Sequence, residues 1–256
     1  MTRQLDVHFL PTLIPPRAVV GSAVVVIDVL RASTTIAAAL DAGASDVVPC
    51  LDVDDARRIA DESAGARPLL GGERGGERIA GFDLGNSPLE YTTQRVAGRR
   101  IVFTTTNGTR ALLAAGDARR IVVGAFVNVS AVADALAAEE KIDLVCAGTN
   151  GEVTAEDVLL AGLLAERLAT ADASLRLGDT ATLARQGWQQ TAAAVGDKSI
   201  PTSLIAVLVA ALRQSTGGQN LLALGMDADI EYAAQLDRHL VVPTYDNASR
   251  TIRAAT

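Results

Sequence analysis

Ala23-Val-Val-Val-Ile27, followed at once by Asp28-Val-Leu-Arg-Ala-Ser-Thr-Thr35, is the stretch that decides the fold class. Its first five residues are apolar without a break, and four of them are β-branched. A strand with one wet face would alternate. An unbroken run reads as a strand covered on both faces, as in parallel sheets. Residues 34–42 then read as a helix, with Gly43 as its stop. A doubly buried strand that turns through polar residues into a helix is the first half of a βαβ unit.

The alternation continues outward from there. Residues 46–50 read as a strand and 53–64 as a helix behind an Asp52 N-cap, with a short third strand at 68–70. A strand at 100–104 leads to a helix at 109–115, one at 120–124 to 130–140, and one at 142–146 to 154–170. Residues 179–236 are mainly helical in pattern, and Val241-Val242 marks a last strand. These spacings predict a layered α/β/α fold with a mostly parallel or mixed sheet and a helix-rich C-terminal third. No Pro-, Gly- or Ser-rich linker divides the 256 residues. They read as one domain over 1–256, or as two intimately packed halves meeting near residue 117.

Lys and Arg total 23 against 30 Asp and Glu, a net charge of −7. That balance excludes a nucleic-acid binder, which needs a basic stripe. The two His, at 8 and 239, and the two Cys, at 50 and 146, leave no multi-His zinc or di-iron site and no Cys-x-x-Cys pair. Two distant cysteines predict a reduced, cytoplasmic protein. The first 16 residues carry Arg3, Asp6, His8 and three Pro, unlike a signal peptide. The longest apolar run, 204–212, is far shorter than the ~20 residues that span a bilayer, so no membrane partner is expected. Hydrophobic residues make up 49% of the chain and aromatics only 3%, so Ala, Val and Leu must build the core. The apolar surplus is either an Ala-rich compositional bias or a buried interface in a homo-oligomer, with a dimer favoured. Trp188 and the 204–212 stripe read as core or interface packing, and His239 as structural.

Open α/β sheets bind ligands at the carboxyl ends of their strands, and here those ends are polar. Asp28, at the tip of the first strand, suits a metal ligand or a nucleophile. Arg31, Ser33, Thr34 and Thr35 then meet a helix N-terminus, a setting for an anion. Gly71-Gly-Glu-Arg-Gly-Gly-Glu-Arg78 and Gly81-Phe-Asp-Leu-Gly-Asn-Ser-Pro-Leu89 read as a glycine-rich loop that lets backbone approach a ligand, with Phe82 anchoring it. Ser87 and Pro88 read as N-cap and first residue of a helix. Thr104-Thr-Thr-Asn-Gly-Thr-Arg110 offers hydroxyls and N–H groups to phosphate oxygens, without the P-loop spacing. Glu156 and Asp157 fall in the first turn of a long helix, where the dipole alone would favour them. Read as hard oxygen ligands in a chain with almost no His, they imply Mg²⁺ rather than Zn²⁺.

Together these segments resemble the 2-phosphosulfolactate phosphatase family. The resemblance rests on Asp28-Val-Leu-Arg-Ala-Ser-Thr-Thr35, Gly72-Glu-Arg74, Gly81-Phe-Asp-Leu-Gly-Asn-Ser-Pro88, Thr105-Thr-Asn-Gly-Thr109 and the stretch from Gly148 to Glu156-Asp157. It implies Mg²⁺-dependent hydrolysis of 2-phosphosulfolactate to 3-sulfolactate and phosphate, a step toward coenzyme M. On that basis Asp28, Glu73, Glu156 and Asp157 are expected to hold or surround the metal. Arg31 and Arg74 would neutralise the phosphate. Ser33, Thr34 and the turn formed by Thr105, Thr106, Asn107, Gly108 and Thr109 would bind the substrate, with Asn86 and Ser87 closing the loop over it. Two other readings stay open. One is a non-catalytic binder of a small phosphorylated or polyanionic metabolite. The other is a phosphatase or phosphotransferase for another 2-phospho acid.

Overall fold

The computed structural model describes residues 3–63, 65–196 and 203–255. In chain order come β1 (Gln4–His8), β2 (Ala23–Ile27), α1 (Ala32–Asp41), β3 (Asp46–Cys50), α2 (Val53–Glu62), β4 (Leu69–Arg74) and β5 (Glu77–Arg78). Then follow α3 (Thr93–Val96), β6 (Arg100–Thr104), α4 (Gly108–Ala114), β7 (Arg120–Gly124), α5 (Val129–Ala135), β8 (Lys141–Cys146), α6 (Ala155–Ala171) and β9 (Arg176–Leu177). The last part holds α7 (Asp179–Ala193), α8 (Leu204–Gln214), α9 (Thr216–Ala223), α10 (Asp227–Ala233), β10 (Pro243–Asp246) and β11 (Thr251–Ala254). The expected end of the second helix at Ala64, and positions 197–202 of the helical stretch, lie outside the described residues.

All the strands join one sheet in the order β5-β4-β6-β3-β11-β10-β7-β2-β8-β1-β9. Two blocks are parallel within themselves, β4-β6-β3 and β7-β2-β8-β1-β9. The hairpin β10–β11 sits between them, with β11 antiparallel to β3 and β10 antiparallel to β7. The sheet is therefore mixed and mostly parallel, with helices on both faces, and the chain adopts the α/β class expected.

In β2 every residue is buried. Ala23, Val25 and Ile27 pack with α5, α6 and the C-terminal helices, while Val24 and Val26 pack beneath α1 and α4. Burying such a side chain fully stabilises by about 1.5–3 kcal/mol, which is why the unbroken run fixes β2 in the interior. Trp188 is buried, 6.2 Å from the Phe126 ring. His239 is buried too, its Nε2 2.9 Å from the Tyr232 hydroxyl and its Nδ1 2.8 Å from Asp41 Oδ2. Within 204–212 only Leu208 and Leu212 are fully covered; Ile205 is 44% exposed. Among the described residues no helix is long and apolar enough to cross a membrane.

The hairpin has a geometric consequence. Three successive antiparallel steps make the two blocks run in opposite senses along the sheet. In a flat sheet their C-terminal ends would lie at opposite edges. Yet a Cβ on Gly108, just past β6, would stand 2.8 Å from Asp28 Oδ2, just past β2. Twist reconciles the two facts. Neighbouring strands rotate by roughly 20–35°, and the five steps from β2 to β6 accumulate roughly 100–175°.

The glycine-rich segment departs from its sequence reading. Residues 71–78, expected as a loop, form the second half of β4, a tight turn and β5. Gly71 and Gly72 extend the parallel ladder opposite Phe103 and Thr104. The glycines are there for fit: a Cβ on Gly72 would overlap the Thr104 carbonyl oxygen, and one on Gly71 the Tyr91 hydroxyl. Gly72 also has φ +137°, which strains any side chain. Gly72→Ala is accordingly expected to cost about 3 kcal/mol or more; a thermal midpoint within a degree of wild type would refute that fit. The strand expected at Val241-Val242 begins later, at Pro243, and is one arm of a hairpin whose second strand, β11, follows it.

Candidate functional site

A cavity of about 360 Å³ lies where the ends of β2, β4, β6 and β8 converge, with α9 along its far wall. From the expected set it is lined by Asp28, Arg31, Glu73, Asn86, Thr105, Thr106 and Asn107.

Asp28 leaves β2 where the chain turns into α1. Its N–H donates to Ser33 Oγ (2.9 Å), and its Oδ1 accepts from the Ala32 N–H (3.2 Å). Ser33 and Thr34 are thus turn-builders: Ser33 Oγ also faces the Val26 carbonyl, and Thr34 Oγ1 donates to Val29 O. Burial pushes the Asp28 carboxyl up to about 7; Glu73 and Glu156 add to this, while the Ala32 N–H and Arg31 oppose it.

Arg31 follows a cis Leu30–Arg31 peptide. Its Nη1 bonds Asp229 Oδ2 (2.7 Å) and Met226 Sδ (2.8 Å), and its Nη2 bonds the Gly76 carbonyl (2.6 Å). The guanidinium is buried, with Nε and one Nη2 proton left without a partner among the described residues. Two free N–H groups on a fixed planar fork suit an oxyanion.

Glu73 is gripped from both sides, with Oε1 accepting from the Thr106 N–H and Oε2 from the Gly76 N–H, each at 2.8 Å. This ties the β4–β5 turn to the β6–α4 turn. Behind the cavity, Asp157 accepts from the N–H groups of Val29 (2.8 Å) and Gly148 (3.0 Å). It clamps the turns after β2 and β8 together. Burial raises its pKa well above the usual carboxylate range, and Glu156 and Asp28 raise it further. Glu156 is buried against Gly217, where no Cβ would fit, and its Oε2 has no partner. Burial raises its pKa too, against the pull of nearby N–H and hydroxyl groups, including those of Ser215 and Thr154.

The structure does not bring every expected residue to the cavity. Arg74 points away, spending its guanidinium on Glu73 O, Leu51 O and Thr104 Oγ1 and facing a surface hollow with Asp52, Asp54 and Asp55. Gly108 and Thr109 line a separate hole of about 20 Å³ behind Asp28, close to the volume that admits one water. Ser87 caps no helix; its hydroxyl donates to Asp229 Oδ1 (2.6 Å) ahead of a single 3₁₀ turn. Asn107 occupies an N-cap position, but its Oδ1 accepts from the Asn150 N–H (3.3 Å). Sequence reasoning missed Asp229 as a site residue. It also missed the wall formed by Gly217, Asn220 and Leu224 of the α9 region.

Hard oxygen donors are plentiful. Asn86 Oδ1 and Thr105 Oγ1, on buried residues of the cavity wall, have no hydrogen-bond partner. Among the described residues no three His, Cys, Asp or Glu side chains converge on one point. Any metal would therefore be held by one or two carboxylates completed by water and ligand oxygens, the habit of Mg²⁺.

Fold and cavity together define an α/β protein with a polar, carboxylate-rich cleft at its strand ends, holding one buried guanidinium. A family model described as 2-phosphosulpholactate phosphatase matches residues 8–248, and the chain belongs to that family. Proteins named probable 2-phosphosulfolactate phosphatase are similar over most of their length. The one from Symbiobacterium thermophilum is 40% identical, over 90% of this chain and 94% of that protein. Those from Prochlorococcus marinus strain MIT 9303 (43%; 89% and 90%) and Deinococcus radiodurans (44%; 86% and 85%) agree.

Proposed function

We propose that the chain is a Mg²⁺-dependent phosphoric monoester hydrolase that converts 2-phosphosulfolactate to 3-sulfolactate and phosphate. The observation that carries this reading is the pairing of Asp28 with Arg31 in one cavity, in a chain that the family model covers almost throughout.

Charge supports the metal. Asp28 and Glu73 line the cavity, Glu156 and Asp157 lie behind them, and the only lining cation among the described residues, Arg31, is matched by Asp229. A polyanionic substrate would be repelled from such a cleft unless a cation entered with it. Asp28, whose Oδ2 accepts no hydrogen bond from the described residues, would hold Mg²⁺, with Glu73 beside it on the cavity wall. The oxygens of Glu73, like those of Asp157, already serve backbone N–H groups, so Glu73 would bind the ion through a lone pair left over from those bonds or through water. Bound there, Mg²⁺ supplies Lewis-acid neutralisation of phosphate charge.

The chain's own residues do the rest. The free N–H groups of Arg31 orient the phosphate and meet charge that grows in the transition state. The Thr105 hydroxyl, without a protein partner, donates to a phosphate oxygen. The Asn107, Asn150 and Asn220 amides on the cavity wall receive the rest of the anion without adding charge.

A phosphate-release screen over 2-phospho acids, with and without the sulfonate, tests the proposal. Release is expected with Mg²⁺, fastest on 2-phosphosulfolactate, lost in chelator and restored by Mg²⁺. No release from any of them would overturn the catalytic reading in favour of a binding protein for a small anion.

A further inference from the structure

Asp229 is a carboxylate beside the cavity whose work is done on another side chain. It sits on α10, is buried, and does not line the cavity. Its two oxygens are divided between two other segments: Oδ2 takes Arg31 Nη1 (2.7 Å), and Oδ1 takes the Ser87 hydroxyl (2.6 Å). Arg31 belongs to the β2–α1 turn, and Ser87 ends the segment that follows the β4–β5 turn. Three parts of the chain, Arg31 198 and Ser87 142 positions from Asp229, thus meet on one side chain.

We infer that Asp229 is a positioning residue for phosphate recognition, acting through Arg31. The inference rests on the proposed function only in taking the cavity's ligand to be a phosphorylated anion. A guanidinium on a long flexible stem would lose rotamer freedom on binding. Here that loss is taken before the ligand arrives. Asp229 fixes Nη1, the Gly76 carbonyl fixes one proton of Nη2, and the residue so held lines the cavity with Nε and the second Nη2 proton uncommitted among the described residues. Both partners are almost fully buried, with side chains 3% and 4% exposed. Removing either one strands a charge, and Arg31 without Asp229 would turn toward the cavity carboxylates Asp28 and Glu73 instead of the ligand. Ser87 adds direction, because its hydroxyl holds the second carboxylate oxygen and so fixes the rotation of the carboxylate plane.

The test uses inorganic phosphate as the probe, titrated calorimetrically into the full-length chain with Mg²⁺ present, beside Asp229→Ala, Asp229→Asn, Arg31→Lys and the double variant Asp229→Ala/Arg31→Lys. Loss of an outer partner that orients a binding group weakens binding by about 10–100-fold, and that range is expected for Asp229→Ala. Asp229→Asn, which keeps an acceptor for Arg31, should recover much of it. The double variant should bind no more weakly than Arg31→Lys alone, since a residue that acts only through Arg31 has nothing left to act on. A merely structural role would instead give additive losses, equal in Asn and Ala. Circular dichroism and the thermal midpoint report whether each variant folds; if Asp229→Ala does not, Asp229→Asn and Ser87→Ala carry the comparison, each with a smaller loss that vanishes beside Arg31→Lys. Wild-type phosphate affinity in the Asp229 variants, additive losses, or no phosphate binding by the wild type would each overturn the inference. Phosphate binding without phosphate release would overturn only the catalytic reading.

Discussion

Asp28→Asn is expected to release phosphate at least about 1,000-fold more slowly than the wild type and yet to melt at a higher temperature at pH 8 in chelator. Both effects follow from the same burial. Asp28 titrates at 3.8 in the unfolded chain and at about 7 in the fold. Between those values the folded protein holds the extra proton, so stability falls as pH rises from about 4 to about 7, and the whole penalty is present above it. That rise in pKa corresponds to a penalty of about 4 kcal/mol. Asparagine keeps the Ala32 hydrogen bond through its carbonyl oxygen and never ionises. Recovering even half of the penalty would raise the midpoint of a domain this size by roughly 4–8 °C. The gap between variant and wild type should close as pH falls to 4, where Asp28 is protonated in the fold. Mg²⁺ should raise the wild-type midpoint at pH 8 and leave the variant's almost unmoved. Near-normal turnover by Asp28→Asn would remove Asp28 from the chemistry. A lower midpoint at pH 8 would show that its contacts outweigh its desolvation. In ¹⁸O-water the label should enter phosphate, and hydroxylamine should trap nothing on the enzyme during turnover; an Asp28 hydroxamate would replace direct attack by water with an aspartyl-phosphate.

Much of this site is legible in the sequence, and the residues that are not share a cause. β2, β3, β6, β7 and β8 announce themselves because each is a short apolar run. Asp28 and the Thr105–Thr106–Asn107 turn can be placed because they stand at the ends of such runs, where an α/β sheet presents its ligands. Arg74 is misdirected because 71–78 reads as loop. In a loop Glu73 and Arg74 can both face a ligand. On a strand, neighbours point to opposite faces, and β4 sends Glu73 inward and Arg74 out to Leu51 and Thr104. The strand itself is hidden by its glycines, whose low strand propensity is a local cost accepted for close approach to β6. α9 falls inside the stretch read as mainly helical, but its place on the cavity wall is not legible, since Gly217 and Gly218, where side chains would overlap Glu156 and the Leu212 carbonyl, carry no side chain that could announce a contact. Asp229, a lone carboxylate on a seven-residue helix, gives no periodic or spacing signal at all. Its partner is 198 positions away, a pairing that tertiary structure alone reveals.

The hairpin is the element whose loss should matter most. A chain ending at Val242 lacks β10 and β11, and it is expected to lose cooperative unfolding and the wild-type circular dichroism. Without the hairpin, β3 and β7 become bare edges facing one another across the width of two strands. Each presents unpaired N–H and C=O groups that nothing else in the fold is placed to cover. Ile252, fully buried in the layer beneath α1 and α4 with Val26, Val47, Val123 and Phe103, leaves a cavity behind it. Ile252→Ala alone should cost about 2–5 kcal/mol, a milder version that stays foldable and measurable. The consequence reaches the site because the blocks divide its residues. Asp28, Arg31 and Thr149 come from the ends of β2 and β8, and Glu73 and Thr105 from the ends of β4 and β6. The accumulated twist that turns these ends toward each other runs through β10 and β11. Ile252→Ala should therefore weaken phosphate binding as well as stability, although the residue lies outside the cavity. If the truncated chain instead melts cooperatively within a few degrees of wild type, the blocks are docked by α1 and α4 alone. The hairpin would then be a cover over two edges rather than the piece that sets the angle between them.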